Sequence, residues 1–293
     1  MNGRQAPDEA HLDEVNLEQV AWPDEPRYRP GRRRAHDDSP VRLVVLGDSF
    51  SFTDERGPQM PNTPTLWPNV TAAAISAALD VDVTVTVLAR PAQTAVSARE
   101  LVRKDRHAQF EVLAHADAVV IAIGSYDHAP MGVPSFVEAV VPFVRPPSVR
   151  RRVRVGLHAV YPRVVRATRA RMARTATAEF TRAYDDVLTH VRGVAHGAAG
   201  VALGPSSHRT PYYGGRHPRF AEREQLQLEL AASQGFAPVA AWLHVEPVVD
   251  QLNVDGIHWP RVAHASVGAS VAASLILQLG GTSDRPPRPG RRD

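Results

Sequence analysis

Two short motifs about two hundred residues apart carry the side chains best suited to chemistry. One is Gly47-Asp48-Ser49, at the end of an apolar run. The other is Asp255-Gly256-Ile257-His258, just ahead of the last predicted helix. Together they supply a serine, an acid and a histidine, the set that turns a weak hydroxyl into an acyl-accepting nucleophile. A glycine before Ser49 permits a sharp turn, and the turn leaves backbone N–H groups free to receive a developing oxyanion. In a compact turn, Asp255 and His258 at i, i+3 face the same way. Asp255 would hold the Nδ1–H of His258, and Nε2 would take the Ser49 proton. Taken alone, GDS also fits an ordinary turn and DGIH an ordinary helix start, so the argument rests on their pairing.

Such residues need elements that bring them together. Met1 to residue 40 is rich in charge and proline and reads as a disordered arm, and residues 282–293 read as a disordered tail. Between them, residues 41–281 alternate strand and helix signals. Val41–Leu46, Val81–Ala89, Ala118–Ile123, Val201–Leu203 and Phe236–Trp242 are predicted strands. Leu66–Leu79, Ala95–Ala114, Ser135–Phe143, Thr177–Val194 and Phe220–Ser233 are predicted helices, with Ser135 as an N-cap. A closing helix is expected to bury Val262, Ala265, Ala269, Ala272, Ile276 and Leu279. The arginine-rich stretch from Arg145 to Thr175 is open between a lid and an irregular helical insertion. The alternation predicts one α/β domain on a mostly parallel sheet, with the site beyond the carboxyl ends of the strands. Ser49, Ala92 and Gly124–Asp127 each follow a predicted strand.

Composition excludes several chemistries. The chain has no cysteine, so disulfides, thiolate catalysis and cysteine-held zinc are ruled out. Its thirteen histidines include no HExxH or HxxxH pair, and no metal is expected. All basic residues except Lys104 are arginine; this reads as coding bias or as anion recognition. No secretory leader and no run of about 18 apolar residues stand out, so a cytoplasmic chain without a membrane span is expected. Nucleic acid is not expected as a partner, and Arg32-Arg33-Arg34 reads as a solvated charge run. Nothing in the sequence speaks to oligomeric state.

The GDS and DxxH motifs resemble the first and last blocks of the SGNH (GDSL) hydrolase superfamily. The resemblance implies a three-layer, flavodoxin-like α/β sandwich with a mostly parallel five-stranded sheet. It implies Ser49 as nucleophile, His258 as base and Asp255 as its orienting acid. The oxyanion donors it implies are the Ser49 N–H, Ala92 where the superfamily has glycine, and Tyr126 where it has asparagine (Gly124-Ser125-Tyr126-Asp127). Losing that asparagine puts the third donor in question, and such a donor is worth about 2.7–4 kcal/mol of barrier. Leu66-Trp67-Pro68-Asn69-Val70, Phe143-Val144-Arg145-Pro146-Pro147, the His208–Arg216 loop and Asp255–Trp259 further resemble actinobacterial glucosylglycerate octanoyltransferases. That narrower likeness implies transfer of octanoyl from octanoyl-CoA, or a similar acyl-CoA, to a small sugar acceptor that primes a methylglucose lipopolysaccharide. No bound cofactor is implied. Asp48, Arg90, Asp127, His208 and Tyr212 are candidates to hold the acceptor, and Arg150, Arg151, Arg152 and Arg154 to meet donor phosphates. An esterase or sugar-ester deacetylase, and a non-catalytic sugar-binding relative, are the alternative readings.

Overall fold

A computed structural model describes residues 39–133, 140–215 and 217–280. The expected arm and tail fall almost wholly outside these residues, as do Ser135 and most of the helix expected there.

The chain enters through β1 (Val41–Gly47), whose β-branched and leucine residues are buried on both faces. A two-residue ladder follows, β2 (Thr53–Asp54) against β3 (Gly57–Pro58). Next come α1 (Trp67–Leu79), β4 (Val83–Ala89), α2 (Ala95–Lys104), β5 (Ala118–Ala122) and a single turn, α3 (Ser125–His128). Then follow α4 (Pro147–Ala167), α5 (Thr177–Val194), β6 (Ala199–Leu203), α6 (Phe220–Ser233), β7 (Ala237–Val239), α7 (Trp242–Val245) and α8 (Arg261–Gly280). The large sheet runs β4-β1-β5-β6-β7 with every pair parallel. Strand order therefore reverses at β1/β5, which is where open α/β sheets place their sites.

Alternation along the strands sorts the core into two layers. Leu43, Val45, Val85 and Val120 face α1 and α8, while Val44, Leu46, Val119 and Ile121 face α2 and α5. Local signals start the helices. Pro68 sits in the first turn of α1, and Thr94 and Ser97 form a reciprocal capping box on α2.

Three expectations need correction. The stretch from Arg145 to Thr175, open between a lid and an irregular helical insertion, holds one long regular helix, Pro147–Ala167, with Tyr161 and Val165 buried in a small cluster against Tyr212 and Tyr213. The last strand is shorter than expected. Pro238 offers no N–H, which suits only an edge strand, and the chain turns into α7 soon after. In α8 Ala272 is buried and Ile276 and Leu279 pack against the core as expected, but Ala263, Val267, Val271 and Leu275 form the rest of the buried stripe, whereas Val262, Ala265 and Ala269 are exposed. An alanine-rich helix has too little contrast between its faces to show which one is buried. The same helix is apolar and long enough, by composition alone, to cross a membrane. In the fold its stripe is packed against α1 and the sheet, as the core helix of a globular domain is.

Candidate active site

The site starts where β1 runs out. Asp48 continues the extended backbone, and residues 49–51 close into a 3-10 turn. The Asp48 carboxylate accepts the Phe50 N–H at 3.0 Å, which fixes this turn. Gly47 is required by close approach, since a Cβ there would run into Ser51 Oγ. Ser49 is thereby presented at the carboxyl edge of the sheet. Burial pushes the Asp48 carboxyl up to about 7, and repulsion from Asp127 adds to this against the Phe50 hydrogen bond.

The second half is a turn between α7 and α8. One Asp255 oxygen accepts the N–H groups of Ile257 at 2.7 Å and His258 at 3.1 Å. The other receives His258 Nδ1 at 2.6 Å. Gly256 adopts φ +68, and a Cβ on it would lie 2.7 Å from Thr210 N, so the turn needs glycine on both counts. Its carbonyl accepts the Arg209 N–H at 2.7 Å, and the Asn253 amide donates to Asp54 O at 3.0 Å. The turn is thus tied both to the loop after β6 and to β2. Burial works to raise the Asp255 carboxyl, but the hydrogen bond and charge of His258, with the two N–H groups, hold it below the usual range.

The two halves meet at 2.9 Å between His258 Nε2 and Ser49 Oγ. The imidazole rests on Phe50, ring centroids 5.2 Å apart, and Phe50 rests on buried Trp259. Trp259 in turn donates Nε1–H to Ser206 Oγ at 2.8 Å. Asp255, His258 and Ser49 therefore form a continuous chain of hydrogen bonds with the polarity of a proton relay. Close by, His264 is buried as a neutral ring: it accepts the Trp67 N–H at Nδ1 and donates Nε2–H to Thr53 O, and burial lowers its pKa to about 4.

Ser49 opens into a cavity of about 830 Å³, within the range of small-molecule sites. Asp48, Ser49, Ala92, Tyr126, His208, Asp255 and His258, each singled out in the sequence, all line it. Ala92 has φ +54, a left-handed conformation uncommon for alanine, beside the nucleophile. Among the described residues no acceptor is found for the N–H of Ser49 or of Ala92, so both can serve an oxyanion. The Tyr126 hydroxyl accepts a hydrogen bond from the Arg174 guanidinium, which also lies over the ring at 4.6 Å. The hydroxyl keeps its own proton to donate.

Other candidates lie elsewhere. Asp127 is fully buried and accepts from Ala95 N–H at 2.8 Å and Thr175 Oγ1 at 2.6 Å, so it ties α2 to the chain after α4 instead of meeting an acceptor. Burial raises its carboxyl to about 6. Arg90 is exposed and outside the cavity lining. Tyr212 stacks on Tyr161 at 4.2 Å, and its neighbour Tyr213 lines the cavity in its place. Arg150, Arg151, Arg152 and Arg154 lie on the N-terminal half of α4 and none lines the cavity. Asp48 is in the lining, but its carboxylate is engaged with the turn. Sequence reading assigned no role to the other lining residues Ser125, Ser206, Ser207, Phe52, Pro58 and Ile257. The polar loop from Gly204 to His217 was the available signal for Ser206 and Ser207, and Ser125 and Ile257 stand inside the quoted motifs; nothing local marks Phe52 or Pro58. Among the described residues, no group of His, Asp or Glu is placed to hold a metal ion.

No family model matches the chain. The chain is 29% identical over 238 residues to the diglucosylglycerate octanoyltransferase of Mycolicibacterium hassiacum, covering 80% of this chain and 94% of that protein. To the enzyme of the same name from Mycobacterium tuberculosis it is 28% identical, covering 84% and 94%. Among solved structures it is similar to a lipase/acylhydrolase from Enterococcus faecalis, with a TM-score of 0.53, 14% identity and coverage of 81% and 96%. It is also similar to TesA, with a TM-score of 0.51, 18% identity and coverage of 81% and 99%. The fold is that of the SGNH (GDSL) hydrolases.

Proposed function

We propose that this chain is a serine-dependent acyltransferase that moves a medium-chain acyl group, octanoyl, from an acyl thioester such as octanoyl-CoA to a glucosylglycerate-type sugar. The observation that carries this reading is the Asp255–His258–Ser49 relay, at 2.6 and 2.9 Å, opening on a largely apolar cavity. The names of the two mycobacterial relatives support the choice of acyl group and acceptor.

The geometry of the relay supports the following steps. Ser49 Oγ attacks the acyl carbonyl while its proton passes to His258 Nε2, and Asp255 stabilises the imidazolium through Nδ1–H. The carbonyl oxygen, now anionic, is met by the N–H groups of Ser49 and Ala92. The Tyr126 O–H, its oxygen already bonded to Arg174, is the third donor in place of the amide of SGNH relatives. Collapse breaks the bond to sulfur, the thiolate leaves with the proton from His258, and an octanoyl ester remains on Ser49. In the second half, a sugar hydroxyl gives its proton to His258 and attacks the ester. Ser49 Oγ leaves and recovers that proton, and the product is an acylated sugar.

Hydrolysis of an acyl or sugar ester is the second reading. His258 and Asp255 are partly exposed, at 17% and 37%, so water reaches the base. The two readings share the acyl-enzyme and differ only in what attacks it. The test is to incubate the protein with octanoyl-CoA, with and without glucosylglycerates, and to follow products by mass. Acylated sugar with release of coenzyme A is expected. Octanoate alone, whatever the acceptor, would assign hydrolysis. An unconsumed thioester would leave a binding protein. The Ser49→Ala variant is expected to lose at least about 10³-fold in acyl turnover, leaving whatever binding and the oxyanion donors still provide.

A further inference from the structure

The cavity lining holds two kinds of residue. Phe52 before the β2–β3 ladder, Pro58 within it and Ile257 from the histidine turn are apolar. Ser125 at the head of α3 and Ser206, Ser207 and His208 from the loop after β6 are polar. Two of these polar residues are directly hydrogen-bonded. The Ser206 N–H donates to Ser125 Oγ at 2.9 Å, and Ser206 Oγ accepts from Trp259, which is packed behind the relay.

His208 is the unexplained member. It is only 4% exposed, yet it lines the cavity. Its ring packs against Tyr213 at 5.0 Å edge-on and His217 stacked at 5.4 Å. Among the described residues neither Nδ1 nor Nε2 has a hydrogen-bond partner. A buried polar atom with no partner is disfavoured, and most such atoms in native proteins are paired. Burial, with His217 and Arg209 nearby, lowers its pKa to about 3, so the ring is neutral at working pH. One nitrogen then donates and the other accepts. A fixed neutral ring at the cavity wall, its nitrogens buried and without partners among the described residues, stands next to three serines and suits a polyhydroxylated ligand, because each hydroxyl both donates and accepts. It does not match an acyl chain.

Resting on the acyl-transfer reading above, we propose that the Ser125–Ser206–Ser207–His208 wall is the acceptor subsite, and that His208 hydrogen-bonds a sugar hydroxyl there. His208 is then a specificity-determining residue. It positions the sugar for attack on the Ser49 ester and so decides between sugar and water; it does not take part in proton transfer. The acyl chain lies along the apolar lining residues Phe52, Pro58 and Ile257.

The experiment measures acylated sugar against free octanoate from one reaction, so that their ratio does not depend on how much of a preparation is folded. In His208→Phe, which keeps a flat ring but removes both nitrogens, the ratio of transfer to hydrolysis is expected to fall about tenfold, with the acceptor KM raised. His208→Gln, which keeps a donor and an acceptor, is expected to recover most of that loss. A Phe variant whose ratio and acceptor KM equal those of the wild type overturns the subsite, and so does a Gln variant no better than Phe. If the Phe variant does not fold, His208→Leu is read by the same ratio. A wild-type protein that makes no acylated sugar defeats the acyl-transfer reading itself, before any variant is compared.

Discussion

At the scale of single residues, the acid that follows the nucleophile's glycine behaves as structure. Asp48 spends its carboxylate on the Phe50 N–H, and burial lifts its pKa from 3.8 to about 7. The folded state therefore keeps a proton that the unfolded chain releases between those two values. Stability falls as pH rises through that window, by up to about 1.4 kcal/mol per unit, and the full cost is present above pH 7. Asp48→Asn can still accept from Phe50 but carries no charge. Relative to wild type, its unfolding free energy should gain about 2–3 kcal/mol between pH 5 and pH 8. Urea titrations at the two pH values measure this, and a constant difference between the proteins would show that Asp48 is not the titrating group. His258 and Asp255 differ from Asp48 in being partly exposed, as a relay that must meet substrate has to be.

At the scale of elements, the site depends on two junctions: strand into turn at Gly47–Ser49, and turn into helix at Asp255–Arg261. The first is tight. A side chain at position 47 would meet Ser51 Oγ, which is buried and has no hydrogen-bond partner among the described residues. Gly47→Ala should cost about 1–3 kcal/mol, as overpacking of a filled site does, and should shift Ser49 away from His258. In a Ser51→Ala background the same substitution should cost much less. Denaturant melts of the four proteins of this cycle give the coupling; a zero coupling would place the strain somewhere other than Ser51. The second junction is held from outside, by Arg209 and by Asp54 through Asn253, so the loop after β6 and the β2–β3 ladder set the histidine as firmly as its own turn does.

At the scale of the whole molecule, the fold buries an unusual set of neutral histidines. His128 and His208 have pKa values lowered to about 3, and His217 and His264 to about 4, burial being the first cause for each. Between these values and 6.5 the unfolded chain binds protons that the folded one refuses, so stability is lost as pH falls through that window. Asp48 and Asp127 act in the opposite sense over part of the same range. Four sites against two leave a net uptake of about two protons on unfolding near pH 5, or a slope of about 2–3 kcal/mol per pH unit. Urea midpoints at pH 7, 6 and 5 should therefore drop steadily. A midpoint that is flat or rises toward pH 5 would contradict this accounting.

What the amino-acid string alone determined is whatever depends on local chemistry and periodicity. The runs at Val41–Leu46 and Ala118–Ile123 read as buried strands, because short apolar, β-branched stretches closed by glycine suit a parallel sheet covered on both faces. Strand–helix alternation fixed the class, and glycine, acid and serine at the end of the first strand marked where a nucleophile could stand. Low-contrast or non-local features were beyond it. The buried face of the alanine-rich α8 was read only in part, and the packing of α4 against Tyr212 and Tyr213 was invisible, because neither is written in neighbouring residues. Rim polarity likewise failed to separate Asp127, which locks α2 in place, from His208, which faces the cavity. Only the tertiary structure decided that Ser49 and His258, 209 residues apart, stand 2.9 Å from one another. That distance is set by sheet order and by loops packed from three directions, and a contact made across the fold leaves no periodic trace along the chain.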